Sequence, residues 1–353
     1  MQVAAALLLF CAAAFSGQPE RGNLLVDSYG KVLLIAPEGS SRPLADNANQ
    51  ALLSPDGSRL AFTTDLDPKA ANSAQKLLVV PIAGGPQTEI VELPPDSHFG
   101  HIVWRPDGAA LAYDAAVHGK SDDLFIAQVP PAKNGPQNLG HWYQGISFSP
   151  DGKEIVHAVN NGPGESGGLE VLDVASGKRT LLYHTKTIVW DARYSPDGKQ
   201  IAYVMTLREP ENTDDEPDCT PPTLGLWIYS VEERSSQPVE IRSAPKGWND
   251  MKNFAWSPDG KNIALTLGTT DCDYPGSAAG VFLTNLSQTQ QTRLSTGDMS
   301  FEPAFSPDGS AVAFVDFSSS LAKLMRYQVS SGKLSVIREA TPQSNYYSLH
   351  DWK

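Results

Sequence analysis

Phe254-Ala255-Trp256-Ser257-Pro258-Asp259-Gly260-Lys261-Asn262-Ile263-Ala264-Leu265 is the stretch whose reading decides the fold. Proline pre-sets φ near −65°, aspartate bonds the backbone two residues on, and glycine accepts the positive φ that closes a tight turn. Apolar alternation on both sides makes the flanks strands, so the unit is an antiparallel hairpin. The tetrapeptide returns as Ser54-Pro55-Asp56-Gly57, Arg105-Pro106-Asp107-Gly108, Ser149-Pro150-Asp151-Gly152, Ser195-Pro196-Asp197-Gly198 and Ser306-Pro307-Asp308-Gly309. Successive prolines stand 44 residues apart at the closest (Pro106 to Pro150) and 62 at the widest (Pro196 to Pro258). That period belongs to propeller blades.

The strand after each turn carries a large-small-large triplet: Leu60-Ala61-Phe62, Leu111-Ala112-Tyr113, Ile201-Ala202-Tyr203, Ile263-Ala264-Leu265 and Val312-Ala313-Phe314. Alternate side chains of a strand point to opposite faces, so such a triplet fits a sheet stacked between two neighbours. Two more strands complete a blade, as in Leu169 to Val174, the turn Ser176-Gly177-Lys178, and Thr180 to Tyr183.

Six turns alone suggest six blades. Three further strands precede the first turn, however, around Asn23 to Asp27, Lys31 to Ile35 and Arg42 to Leu44, and Tyr346 to Trp352 reads as an inner strand with nothing after it. Joining the two ends gives a seventh blade. The expectation is an all-β chain forming one propeller of seven four-stranded antiparallel blades, with six as the alternative, over residues 17–353. No composition shift marks a second domain.

Residues 1–16 form a short apolar run ending Ala14-Phe15-Ser16, a secretory leader pattern, so export to the periplasm or beyond is expected. Cys11 within it is a candidate for lipidation, although Phe10 before it is large for that processing. In an oxidising compartment Cys219 and Cys272, in loops of adjacent blades, become a candidate disulfide. A net charge of −13 argues against nucleic acid or an anionic membrane as partner. Asp214, Asp215, Asp218, Asp271 and Asp273 make a candidate weak calcium site, without the ordered spacing of a dedicated calcium loop. No cofactor is required by anything in the sequence.

Catalytic patterns fail on context. Gly164-Glu165-Ser166-Gly167-Gly168 fits a nucleophile elbow and Gly162 to Gly167 a phosphate loop, yet both lie between antiparallel strands instead of opening a helix. Ser330 to Lys333 is a hairpin turn, and H-E-x-x-H and C-x-x-C are absent.

What remains is geometry. The loops between blades and those between second and third strands share one propeller face, where the inner strands rim a central channel. Equivalent inner-strand positions are Gln50, His101, Gly145, Asp191, Asn253, Glu302 and Leu349, an unusually polar ring. Beside it the loops carry His98, Phe99, His141, Trp142, Tyr143, His184, Trp190, Trp248, Tyr346 and Tyr347, aromatic residues of the kind binding surfaces enrich. Taken singly, each of these rings reads as a plug of the channel mouth or a cap on a blade interface; taken together, they read as a binding face.

The run Trp256-Ser257-Pro258-Asp259-Gly260-Lys261-Asn262-Ile263-Ala264, with its copies over residues 23–352, resembles the repeat of the TolB-like β-propellers. The resemblance implies an exported scaffold whose face docks a protein or peptide, an envelope component among them. The same repeat builds the non-catalytic propellers of prolyl-oligopeptidase-like and tricorn-type peptidases, but neither a TolB-type α/β domain nor a hydrolase domain accompanies it here, so a stand-alone binding propeller is expected. The competing expectation is a metal-dependent hydrolase or lactonase with His101, Asp191 and Glu302 at the channel mouth.

Overall fold

In the computed structural model the described residues are 22–28, 30–70, 72–118, 123–141, 145–160, 167–208, 223–269, 278–341 and 347–353. They form seven separate four-stranded antiparallel sheets. Blade one is β4 (Ala48–Leu53), β5 (Arg59–Asp65), β6 (Gln75–Pro81) and β7 (Thr88–Leu93), and blade two is β8 (His98–Trp104), β9 (Ala110–Ala116), β10 (Asp123–Gln128) and β11 (Gln137–His141). Blade three is β12 (Ile146–Phe148), β13 (Glu154–Asn160), β14 (Gly167–Asp173) and β15 (Arg179–Thr185), and blade four is β16 (Val189–Tyr194), β17 (Gln200–Arg208), β18 (Thr223–Ser230) and β19 (Ser235–Pro238). Blade five is β20 (Asp250–Trp256), β21 (Asn262–Gly268), β22 (Ala279–Asn285) and β23 (Gln291–Arg293), and blade six is β24 (Ser300–Phe305), β25 (Ala311–Asp316), β26 (Lys323–Gln328) and β27 (Lys333–Glu339). Blade seven joins the chain ends: β28 (Ser348–Trp352) is the inner strand beside β1 (Leu24–Ser28), β2 (Lys31–Ile35) and β3 (Ser41–Asp46). Seven blades, closed as the sequence implied, replace the six-blade alternative.

The triplets explain how the sheets stack. Leu60 and Phe62 pack with Leu25, Val32 and Leu34 of blade seven, whereas Ala61 between them belongs to the layer with Ile102 and Trp104 of blade two. Val312 and Phe314 likewise face blade five while Ala313 faces blade seven. Each of the five sheets with a triplet thus offers large side chains to the preceding blade and a flat alanine to the next, which leaves room for that neighbour's inner strand, whereas blade seven has Leu25 in the alanine's place. Blade three departs from the rule. Its triplet is Ile155-Val156-His157, and the imidazole, buried in the aromatic place, lies 3.1 Å from its cross-strand partner Glu170. Arg179 adds a 3.0 Å bond to the same carboxylate and donates to the carbonyls of Leu139 and His141 on blade two.

The turns are built alike. In five of them the serine hydroxyl donates to the aspartate, at 2.5 Å for Ser54, 2.8 Å for Ser149 and 2.6 Å for Ser306. The same carboxylate oxygen accepts the backbone N–H following the glycine, at 2.9–3.1 Å in all six copies. Arg105 takes the serine's part in blade two through its Nε, 2.9 Å from Asp107. Every turn glycine sits at φ 68–72°, where a side chain is strained.

Candidate functional site

The channel rim is shaped by a feature that strand periodicity does not reveal. Six of the seven inner strands bulge, each by one extra residue relative to its partner strand: at Asn49, at Gly100 and His101, at Trp190, at Lys252, at Glu302 and Pro303, and at His350. A bulge breaks the ladder and re-aims side chains out of the sheet stack. Polar residues therefore gather at the rim, where a regular strand would carry alternating core positions.

His101 and Asp114 form one fixed pair. Asp114 is 1% exposed and its Oδ1 accepts the His101 backbone N–H at 2.7 Å, while His101 Nδ1 lies 3.2 Å away. This hydrogen bond raises the imidazole above its ordinary pKa, against the opposing effect of burial. The strand can approach so closely only because residue 100 is glycine; a Cβ there would overlap the Asp114 carboxylate. Asp191 is held at 2.7 Å by Arg193, which also donates to the Phe254 carbonyl and lies 4.7 Å over its ring. Gly145 stands against Asp191, with space for no side chain between them.

Asn253 presents a buried Oδ1 with no partner among the described residues, and the Thr266 hydroxyl opposite it on β21 is equally without one. Glu302 adopts φ 59°, left-handed for a non-glycine residue, and its carboxylate spans to the closing strand: Oε2 accepts Leu349 N–H at 2.6 Å and Oε1 the Ser348 hydroxyl at 3.0 Å. Burial raises its pKa, with Asp27 adding repulsion, and burial likewise raises Asp27 itself. His350 is pushed the other way, to a lower pKa, by the same desolvation.

The residues of the expected ring have different partners. Gln50 donates to the Gly100 carbonyl of the next blade. His101, Asp191 and Glu302 each engage a different partner, and among the described residues no three His, Cys, Asp or Glu side chains converge as a metal set. Leu349 is core, and His350, one residue on, takes the bulge. Asp27, Asp114, Arg193 and His350 went unnoticed in the sequence. An acidic or basic residue inside an otherwise apolar strand, as in Leu24-Leu25-Val26-Asp27 and Tyr113-Asp114-Ala115, was the available signal.

The aromatic residues split as well. Trp190 is half-buried and donates its indole N–H to Thr206 at 2.9 Å. Trp248 is 8% exposed, edge-on to Phe282 and covered by Arg293 at 4.8 Å, so it caps the interior of blade five instead of offering a free ring. Phe99 and Tyr347 are buried too. Beside the rim, on the same face, a cleft of about 590 Å³ opens between blades one and two, walled by Asp65, Asp96, His98 and His118 among others. Trp142, Tyr143, Tyr346, Cys11, Cys219, Cys272, Asp214, Asp215, Asp218, Asp271 and Asp273 lie outside the described residues, as does the leader over 1–16.

No family model matches the chain. It is 25% identical over 301 residues to the dipeptidyl-peptidase 5 of Porphyromonas gingivalis, which covers 81% of this chain and 40% of that protein. It is 27% identical over 204 residues to the Tol-Pal system protein TolB of Francisella tularensis, covering 48% of this chain and 44% of the relative. The chain thus spans less than half the length of these relatives. The crystal structure of TolB from Acinetobacter baumannii superposes with a TM-score of 0.53 at 18% identity over 84% of this chain and 66% of that one. Blade order and superposition agree on the fold: the chain is a seven-bladed β-propeller, similar to TolB among its relatives and solved neighbours.

Proposed function

We propose that this protein is an exported binding propeller that presents its channel-rim face to a protein or peptide partner of the cell envelope. The bulged inner strands carry the reading. Six inner strands bulge, four of them at or beside His101, Asp191, Asn253 and Glu302, and spending backbone regularity there supports a rim used for binding. Trp190 adds a half-buried ring beside them. Trp248 supports that surface from below. Likeness to a Tol-Pal component favours an envelope partner, and likeness to a dipeptidyl-peptidase favours a peptide. Export rests on the leader at 1–16; among the described residues no helix is long and apolar enough to cross a membrane. A Cys219–Cys272 bridge, and a weak calcium site drawn from Asp214, Asp215 and Asp218 of one stretch and Asp271 and Asp273 of another, belong to the same extracytoplasmic reading.

The metal-dependent hydrolase is the second reading: Asp191 acts electrostatically on the His101 imidazole, but Glu302 is turned to the closing strand. Cross-linked capture from native envelopes tests the proposal, with wild type beside a His101→Ala, Asp191→Ala, Glu302→Gln variant whose melting temperature is checked first. A stoichiometric partner held by wild type and lost by the folded variant is expected. Equal capture by both proteins, or none by either, would overturn it.

A further inference from the structure

We infer that the molecule carries a second binding site, on the opposite face between blades three and four, for a small zwitterion with an apolar side chain: an α-amino acid or short peptide. The site is a cleft of about 360 Å³. That volume lies in the range of small-ligand pockets, roughly 300–1,000 Å³, at its lower end.

Its floor is apolar, formed by Val171 on β14, Leu182 on β15 and Val231 just past β18, with Tyr194 at the end of β16 as a wall. Its rim is charged. The Tyr194 hydroxyl donates to Glu154 Oε2 at 3.1 Å across the blade boundary, which fixes both the ring and the carboxylate. Asp173 is held from the hairpin turn, where its Oδ1 accepts the Ser176 N–H at 2.7 Å and hydroxyl at 2.6 Å. Lys178 completes the rim, exposed and without an ion-pair partner among the described residues.

This set selects its guest by exclusion. A wholly apolar ligand would cover three charged groups and return nothing to them. An anion would meet two fixed carboxylates, and a simple cation would leave the apolar floor uncovered. An α-ammonium set toward Glu154 and Asp173, an α-carboxylate reached by the long Lys178 side chain, and an aliphatic side chain on the floor answer every group at once. The site is separate from the channel rim, so it stands or falls independently of the proposed envelope role.

Methyl NMR on the full chain tests it, following Val171, Leu182 and Val231 during titration with L-leucine, with L-leucyl-L-leucine, and with N-acetyl-L-leucine amide, which has the side chain but neither charge. The free amino acid or the dipeptide is expected to saturate these methyls at about millimolar concentration, and the blocked analogue to bind at least about tenfold more weakly. Lys178→Met keeps the apolar stem and removes the charge, so it should weaken the charged ligands about tenfold with no change in melting temperature. Absence of saturable shifts, an equal midpoint for the blocked analogue, or an unaltered midpoint in Lys178→Met would each overturn the assignment.

Discussion

The two faces of the ring treat their carboxylates in opposite ways. On the turn face burial would raise Asp56, yet hydrogen bonds from Ser54 and Ser58 bring it down to about 2, and Asp308 reaches about 2 through Ser306 and the Ser310 N–H. Asp151 is brought to about 2 by Lys153 and Ser149. On the channel face Glu302 and Asp27 are raised by burial. Backbone geometry follows the same division only in part: the turn glycines occupy the left-handed region at no steric cost and Glu302 does so at the rim, but Arg234 and Gln288 in hairpins of the turn face are left-handed non-glycine residues too. The turn carboxylates hold the blades together, whereas the channel face retains carboxylates that burial leaves poorly compensated, as binding and catalytic sites commonly do.

Asp→Ala on each face is the most direct way to break that comparison. Asp308→Ala removes the acceptor for the Ser306 hydroxyl and the Ser310 N–H together and should cost about 2 kcal/mol by chemical denaturation. Asp191→Ala leaves Arg193 its bond to the Phe254 carbonyl and its place over the ring, and should cost under about 1 kcal/mol. Equal costs would mean that the two faces do not differ in structural role.

Ser306→Ala is the finer test, expected to cost about 1 kcal/mol at pH 7. The pH dependence has a definite sign. Asp308 is depressed in the folded state, so its contribution is complete above the unfolded carboxylate pKa and is lost as pH falls through the folded value of about 2. Without the serine donor that depression lessens, so the gap between Ser306→Ala and wild type should narrow between pH 5 and pH 2. A gap that stays constant with pH would show that the serine acts only through its bond to the Ala311 backbone N–H.

The turn face was almost wholly legible in the sequence, because its chemistry is local: serine, aspartate and glycine make their bonds within five residues of one another. The triplets were legible for the same reason, since strand alternation alone assigns Leu60 and Ala61 to opposite sheet faces. Ring closure could be read because Leu24 to Asp27 and Ser348 to Trp352 each lacked a complement in their own half of the chain. The rim was legible only in outline. A bulge inserts a residue without changing composition, so Leu349 could not be told from His350 until the register against β1 was known. Trp248 misled because its cover, Phe282 and Arg293, comes from strands more than thirty residues away. His157 broke the triplet visibly, and Glu170 amid the apolar residues of β14 was the trace of its partner.

The smallest expected effect has the opposite sign to the turn variants and therefore discriminates best. Glu302 titrates high in the folded state because burial opposes its charge. A carboxyl group whose pKa is raised on folding destabilises the native state once pH exceeds its folded value, and this cost disappears as pH falls toward the unfolded value. Glu302→Gln keeps an oxygen for the Leu349 N–H and removes the charge, so it should leave stability at pH 5 within about 0.5 kcal/mol of wild type and raise it modestly at pH 8. Wild type should accordingly lose stability relative to the variant as pH rises, while Ser306→Ala regains its deficit only as pH falls. A Glu302→Gln chain less stable than wild type at pH 8 would mean that the charge strengthens its bonds to Ser348 and Leu349 by more than burial costs. The rim glutamate would then be a clasp for the closing strand, and its carboxylate would stabilise the fold as those of the turns do.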